Sequence, residues 1–226
     1  MATVLIVAAH PDDEILGVGG TIARHADAGD DVHILILAEG VTSRPGKADA
    51  GVALAHLRAT AREAAAILGA RPPILAGLPD NRLDRLDLLD LVQEVERHVE
   101  VLAPETVYTH HGSDLNLDHR LVHQAAATAC RPLPGSPVRR LYAFETLSST
   151  EWSTPATGPA FRPTRYLGIE ETLDRKLAAI DRYAAEMRPF PHARSREAVA
   201  ALARLRGVQA GLSAAEAFEV IREIAP

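Results

Sequence analysis

With 226 residues, 47% of them hydrophobic, the chain carries enough apolar material for one compact domain whose core is stable without staples. A formal net charge of -6, with only 24 Lys+Arg and no basic block, argues against a nucleic-acid partner and suits a bound cation. The single cysteine, Cys130, excludes an internal disulfide; no apolar run approaches the roughly 20 residues that cross a bilayer, and no basic leader precedes the first strand, so a cytoplasmic location away from any membrane is expected.

In chain order, the continuous apolar run from Val4 to Ala9 reads as a strand buried on both faces, and Thr21 to Ala28, after the Gly17-Val18-Gly19-Gly20 stretch, reads as a helix. Val32 to Leu37 is a second buried strand, Glu39 to Gly51 a polar loop, and Ala53 to Leu68 an amphipathic helix ended by Gly69. A short strand over Pro73 to Ala76 follows, then a helix from Leu86 to Leu102 stopped near Pro104, a strand over Thr106 to Thr109, and a helix from His119 to Cys130 closed by Pro132. Late strands are expected at Arg140 to Thr146 and Thr164 to Ile169, separated by a Ser/Thr/Pro-rich loop, Thr146 to Pro163, that is placed to cover a site. Helices are expected over Glu170 to Met187, Arg196 to Leu205 and, after the Gly211-Leu212-Ser213 cap, Ala214 to Ile224. This βα alternation predicts an α/β fold: one Rossmann-like, doubly wound, mostly parallel sheet flanked by helices, spanning residues 1–226, with late strands and C-terminal helices.

The first strand runs into His10-Pro11-Asp12-Asp13-Glu14, where an open parallel sheet builds its site, and Pro11 favours an extended His10. Alone, the acidic pair is equally explained as an N-terminal helix cap. A second cluster at the end of another predicted strand, comprising His110, His111, Asp114, Asn116, Asp118, His119 and, one turn on, His123, is hard to explain as capping. A histidine and a carboxylate from the first loop plus a histidine from the later one make a three-ligand set that leaves a coordination position for water.

The text A-H-P-D-D-E at Ala9 to Glu14 and D-L-N-L-D-H-R at Asp114 to Arg120 resembles the LmbE-like family of N-acetylglucosaminyl de-N-acetylases, which includes the PIG-L enzymes. The resemblance extends over nearly the whole chain in the order of its elements. It implies His10, Asp13 and His119 as ligands to one Zn2+, Asp12 as general base, and Asp118 as a carboxylate beside the ligand His119. It also implies a small-molecule N-acetyl sugar or glycoconjugate as substrate, hydrolysed to acetate and an amine. Several relatives carry histidine where Asn116 stands, so an oxyanion contact there passes from an imidazole to a neutral amide. His192, in Pro189-Phe190-Pro191-His192-Ala193-Arg194-Ser195, is similar to the late active-site histidine of some relatives, with a plain surface-loop histidine as the competing explanation. Asp80 resembles a substrate-contacting aspartate, though Pro79-Asp80-Asn81 is also an ordinary turn. Arg58 and Arg62 are spaced to reach a substrate hydroxyl or phosphate, or to sit on a solvated helix face. Gly17, Gly19 and Gly20 do not begin a G-x-G-x-x-G turn, so no dinucleotide cofactor is expected. A His/Asp/His set suits other divalent ions besides zinc. A zinc amidase acting on another sugar-linked amide and a silent metal-binding protein stay open as alternatives, and the sequence leaves a homo-oligomer open.

Overall fold

A computed structural model of the protein describes residues 1–39 and 50–225. The described elements run β1 (Thr3–Ala8), α1 (Asp13–Asp27), β2 (Asp31–Glu39), α2 (Ala50–Leu68), β3 (Ile74–Pro79), α3 (Leu88–Leu102), β4 (Thr106–His110), α4 (Leu117–Ala129), β5 (Arg140–Phe144), β6 (Arg165–Gly168), α5 (Leu173–Arg182), α6 (Arg196–Ala210) and β7 (Ala215–Glu223). Of the expected loop Glu39 to Gly51, residues 40–49 lie outside the described residues. No helix among the described residues is long and apolar enough to cross a membrane.

The strands form one seven-stranded sheet in the order β3-β2-β1-β4-β5-β7-β6. β1 pairs in parallel with β2 and β4, β3 with β2, and β5 with β4, whereas β7 runs antiparallel to both β5 and β6. Alternation along the parallel strands sends Val4, Ile6 and Ala8 to one face and Leu5, Val7 and Ala9 to the other, and both faces are buried. Residues of α1, α2, α5 and α6 cover the first face, and those of α3 and α4 the second. The order reverses between β1 and β4, and the crevice beyond their carboxyl ends is the switch point where such sheets bind ligands.

Three expectations need correction. The terminal segment expected as a helix from Ala214 to Ile224 is β7: its Ala and Glu residues favour a helix locally, but the edge of β5 offers a ladder and the core takes Ala217 and Phe218. The first helix starts at Asp13, not Thr21, and runs through the glycines with a kink at Val18, where φ is -140°. Its glycines serve close packing: a Cβ on Gly17 would enter the Phe144 ring, and one on Gly20 would meet Ile169 at 2.8 Å. α5 stops at Arg182, short of Met187: the backbone of Tyr183 leaves helical geometry (ψ 35°), and its hydroxyl donates to Glu14 Oε1 at 2.8 Å.

Candidate metal centre and active site

β1 ends at Ala8, one residue short of the expected Ala9, whose amide donates to the His110 side chain at Nε2 (2.9 Å). The chain then turns through Pro11 and reaches Asp12 with φ 111°, a backbone conformation that costs a non-glycine residue about 1–3 kcal/mol. Glu14 holds that turn, its Oε2 accepting the Asp12 N–H at 3.0 Å. Asp12 makes no side-chain cap on α1, so its carboxylate is free of the capping role. The strained turn sends two consecutive carboxylates to different neighbours, Asp13 to the histidines and Asp12 to Arg194.

Asp13 lies at the centre. Its Oδ2 accepts the His10 amide (2.9 Å) and stands 3.2 Å from His10 Nδ1 and 3.2 Å from His119 Nε2. The far nitrogen of each ring faces another acid: His10 Nε2 is 3.1 Å from Asp118 Oδ2, and His119 Nδ1 is 3.2 Å from Asp114 Oδ1. Two carboxylate–histidine pairs thus flank one shared carboxylate, the arrangement that orients histidine ligands around a metal. The structure moves Asp118 from its expected place beside His119 to His10, where it also accepts the Leu83 N–H at 3.1 Å; Asp114 backs His119 instead. Asp114 is itself fixed by Thr150 Oγ1 (2.6 Å) and by the Ser149 hydroxyl.

His10, Asp13 and His119 are all buried, with ligand atoms within 4.8 Å of one another, and they fit a cation on two grounds. Among the described residues Asp13 Oδ1 has no partner, and both ring nitrogens of His119, though near carboxylates, make no hydrogen bond. Buried polar atoms without partners are costly unless something binds there. The second ground is charge. Burial pushes both histidines down, but the surrounding acids outweigh it, Asp118 and Asp13 holding His10 at about 10 and Asp13 and Asp114 holding His119 at about 9. Burial pushes Asp13 up, yet the histidines hold its carboxyl well below the usual carboxylate range. The pocket therefore demands positive charge at its centre.

Asp12 behaves oppositely. Burial raises its carboxyl well above the ordinary value, the neighbouring Asp13 and Glu14 add to this, and Arg194 opposes them. Arg194 Nη1 donates to Asp12 Oδ2 at 2.6 Å and its Nε to Ser148 Oγ at 2.7 Å. Glu14 is pushed by burial to about 7, against the Tyr183 hydroxyl that favours its charged form.

Of the remaining expected residues, Asp80 joins the cluster, buried and 3.6 Å from His10 Nε2. Asn116 caps α4, its Oδ1 accepting the Asp118 N–H (2.8 Å) while its Nδ2 donates to Asn81 Oδ1 (3.3 Å). His192 is exposed at the rim, its Nδ1 accepting the Arg194 N–H at 3.0 Å. Arg62 is exposed on α2, and among the described residues no contact joins it to the cluster; Arg58, one turn back, is spent on Glu39 at 2.6 Å. His110 stacks on His119 with centroids 3.9 Å apart and, buried, is held well below its usual value, a neutral ring. His111 pairs with Glu219 and His123 with the His110 carbonyl, so both are committed elsewhere. Arg194, Glu14 and Tyr183 had no assigned role in the sequence. Glu14 lies inside the A-H-P-D-D-E motif, but no spacing signals an arginine 182 residues from its carboxylate.

Residues 5–130 match the family model described as PIG-L, GlcNAc-PI de-N-acetylase. The chain is 30% identical over 186 residues to the uncharacterized deacetylase YaiS of Escherichia coli K12, covering 80% of this chain and 89% of that one. It is 25% identical over 240 residues to the 1D-myo-inositol 2-acetamido-2-deoxy-alpha-D-glucopyranoside deacetylase of Gordonia bronchialis, covering 83% and 85% of the two chains. Among solved structures, GalB, the 4-carboxy-2-hydroxymuconate hydratase of Pseudomonas putida KT2440, superposes with a TM-score of 0.81 and 25% identity, covering 100% of this chain and 98% of that one.

Proposed function

The chain belongs to the PIG-L family of de-N-acetylases, and from that premise we propose that it is a divalent-metal hydrolase, with zinc as the preferred ion, removing the acetyl group from an N-acetyl sugar or sugar conjugate. The observation that carries the reading is the open donor set at the switch point, His10, Asp13 and His119, with a buried carboxylate beside it that none of the three engages. Three ligands leave room for water and substrate, as a catalytic rather than a structural metal site requires.

A bound divalent ion supplies Lewis acidity, polarising the acetamide carbonyl and bringing the pKa of a bound water to about 7. The chain's own residues do the rest. Asp118 and Asp114 hold the two histidine rings in the orientation that ligation needs. Arg194 grips Asp12 Oδ2 and so fixes the carboxylate, which takes a proton from the attacking water and returns it to the departing amine. The raised pKa of Asp12 suits both halves of that task. His192, with Nδ1 committed to the Arg194 amide, has Nε2 to offer the developing oxyanion from the rim. Asp80 and Asn116 line the approach and accept or donate hydrogen bonds to sugar hydroxyls.

The likeness to a hydratase favours a second reading, in which the same water activation serves addition to a carbon–carbon double bond. The test is acetate and amine release from a panel of N-acetyl sugars and conjugates, using protein stripped by chelator and then restored with zinc. Equimolar acetate and amine, dependent on zinc, is the expected result. Hydration of an unsaturated acid, with no acetate from any panel member, would replace the first reading with the second.

A further inference from the structure

Two loops reach the candidate site from outside, and each runs on from a site contact to an aromatic ring. In the loop after β5, Thr150 bonds Asp114, and a short helical turn over Thr150–Trp152 carries the chain to Trp152. In the segment between α5 and α6, Arg194 bonds Asp12, and two residues earlier stands His192. The two loops are tied by Arg194 Nε to Ser148 Oγ at 2.7 Å, and the two rings meet, centroids 6.0 Å apart at an interplanar angle of 83°. Trp152 is the sole tryptophan of the protein and is 49% exposed, although half-exposing so large an apolar ring contributes little to a core. The near-perpendicular contact with His192 and the 49% exposure leave part of the indole surface accessible.

We propose that Trp152 is a binding platform for the sugar ring of the substrate, with His192 bracing the indole from the side. A pyranose presents an apolar face of C–H groups together with a rim of hydroxyls. The negative face of an indole attracts the former, while Asp80, Asn81 and Asn116 are placed to take the latter. Trp152 is therefore a specificity-determining residue: it contributes to holding a ring-shaped substrate, and the bond broken lies deeper, between Asp12 and the His10, Asp13 and His119 donors. The inference rests on the sugar reading of the function.

Kinetics and emission test it separately. With an N-acetyl sugar that the zinc enzyme hydrolyses, Trp152→Ala should raise KM about tenfold and leave kcat within about threefold, while Trp152→Phe, which keeps an aromatic face, should stay within about threefold in both. An unchanged KM in Trp152→Ala, or a loss confined to kcat, would overturn the platform. Should no panel sugar be hydrolysed, the emission of the sole tryptophan in the zinc-loaded protein, titrated with N-acetylglucosamine, still decides. A saturable shift in emission upholds the platform while the deacetylase reading fails; an unchanged spectrum overturns both.

Discussion

Two clusters of buried charge sit along α1, one at its start and one at its internal kink, and they differ in how completely their bonds are closed. Beside the kink at Val18, Lys176 Nζ donates to Leu16 O (2.8 Å) and to Glu216 Oε1 (2.6 Å), while Glu216 also accepts the amides of Gly20 (2.9 Å) and Thr21 (2.7 Å). The pair thereby closes both sides of the helix break: Lys176 takes a carbonyl left over by the first half and Glu216 the orphan amides of the second. At the start of the same helix, Asp13 Oδ1 and both His119 ring nitrogens have no directed partner among the described residues. Evolution can tolerate buried charge in either setting, but only the second leaves donors aimed at a common point. The closed cluster is architecture, and the open one is a donor set whose chemistry fits a cation.

The largest effect expected from breaking this contrast is on turnover. Asp12→Asn should lower kcat by about 10²–10⁴-fold, with zinc content per chain unchanged by metal analysis, because the base is lost and the ligands are not. Retention of full activity would remove Asp12 from the chemistry. In the closed cluster, Glu216→Ala leaves Lys176 buried without its anion and should cost about 3–5 kcal/mol in urea unfolding, whereas a paired apolar replacement of Lys176 and Glu216 should recover much of it. A single-variant cost below about 1 kcal/mol would mean that the kink tolerates opening and that the contrast is not structural.

The open cluster should respond to its cation with stability rather than loss. Zinc at about a hundred times its Kd should raise the unfolding free energy by about 2.7 kcal/mol, and Asp13→Ala should abolish the increment. Equal stabilisation of both proteins would place the ion elsewhere. The smallest effect concerns His111 and Glu219, which join the end of β4 to β7 at 2.8 Å. Burial pushes His111 down, but Glu219 outweighs it and holds the imidazole up; burial pushes Glu219 up, but His111 and the Arg162 amide hold it down. The histidine's contribution is complete below about 6.5 and fades as pH rises through its raised value; the carboxylate's is complete above about 4.3 and fades as pH falls through its lowered one. Glu219→Gln should therefore cost about 0.5–1 kcal/mol near pH 6 and progressively less in alkaline solution, followed by urea midpoints. A cost independent of pH would show the contact to be packing alone.

How much of this was legible beforehand follows from distance along the chain. His10 and Asp13 share one turn and His119 lies in the second histidine cluster, so local text offered a histidine and a carboxylate from one loop with a histidine from the other, the family resemblance picked out the trio, and the structure brings the three together. The doubly wound sheet was legible for the same reason, since each parallel strand is a short apolar run and each helix a local period. The two histidine–acid pairings were not. Asp118 lies next to His119 in sequence but bonds His10, because α4 rotates successive side chains by about 100°, aiming neighbours in different directions. The terminal strand was misread because Ala and Glu carry a helical preference that the free edge of β5 overrides.

Local chemistry, then, determined which two clusters can supply ligands to a cation, which segments are buried on both faces, and where the first loop must turn. Tertiary structure decided what no short window contains: that β7 completes the sheet, that Arg194 crosses 182 residues to hold Asp12, and that Trp152 meets His192 at the rim. The physical reason is that a ligand set can be written in a few adjacent side chains, whereas partners for buried charge are chosen by whichever groups the packed fold brings within hydrogen-bond reach.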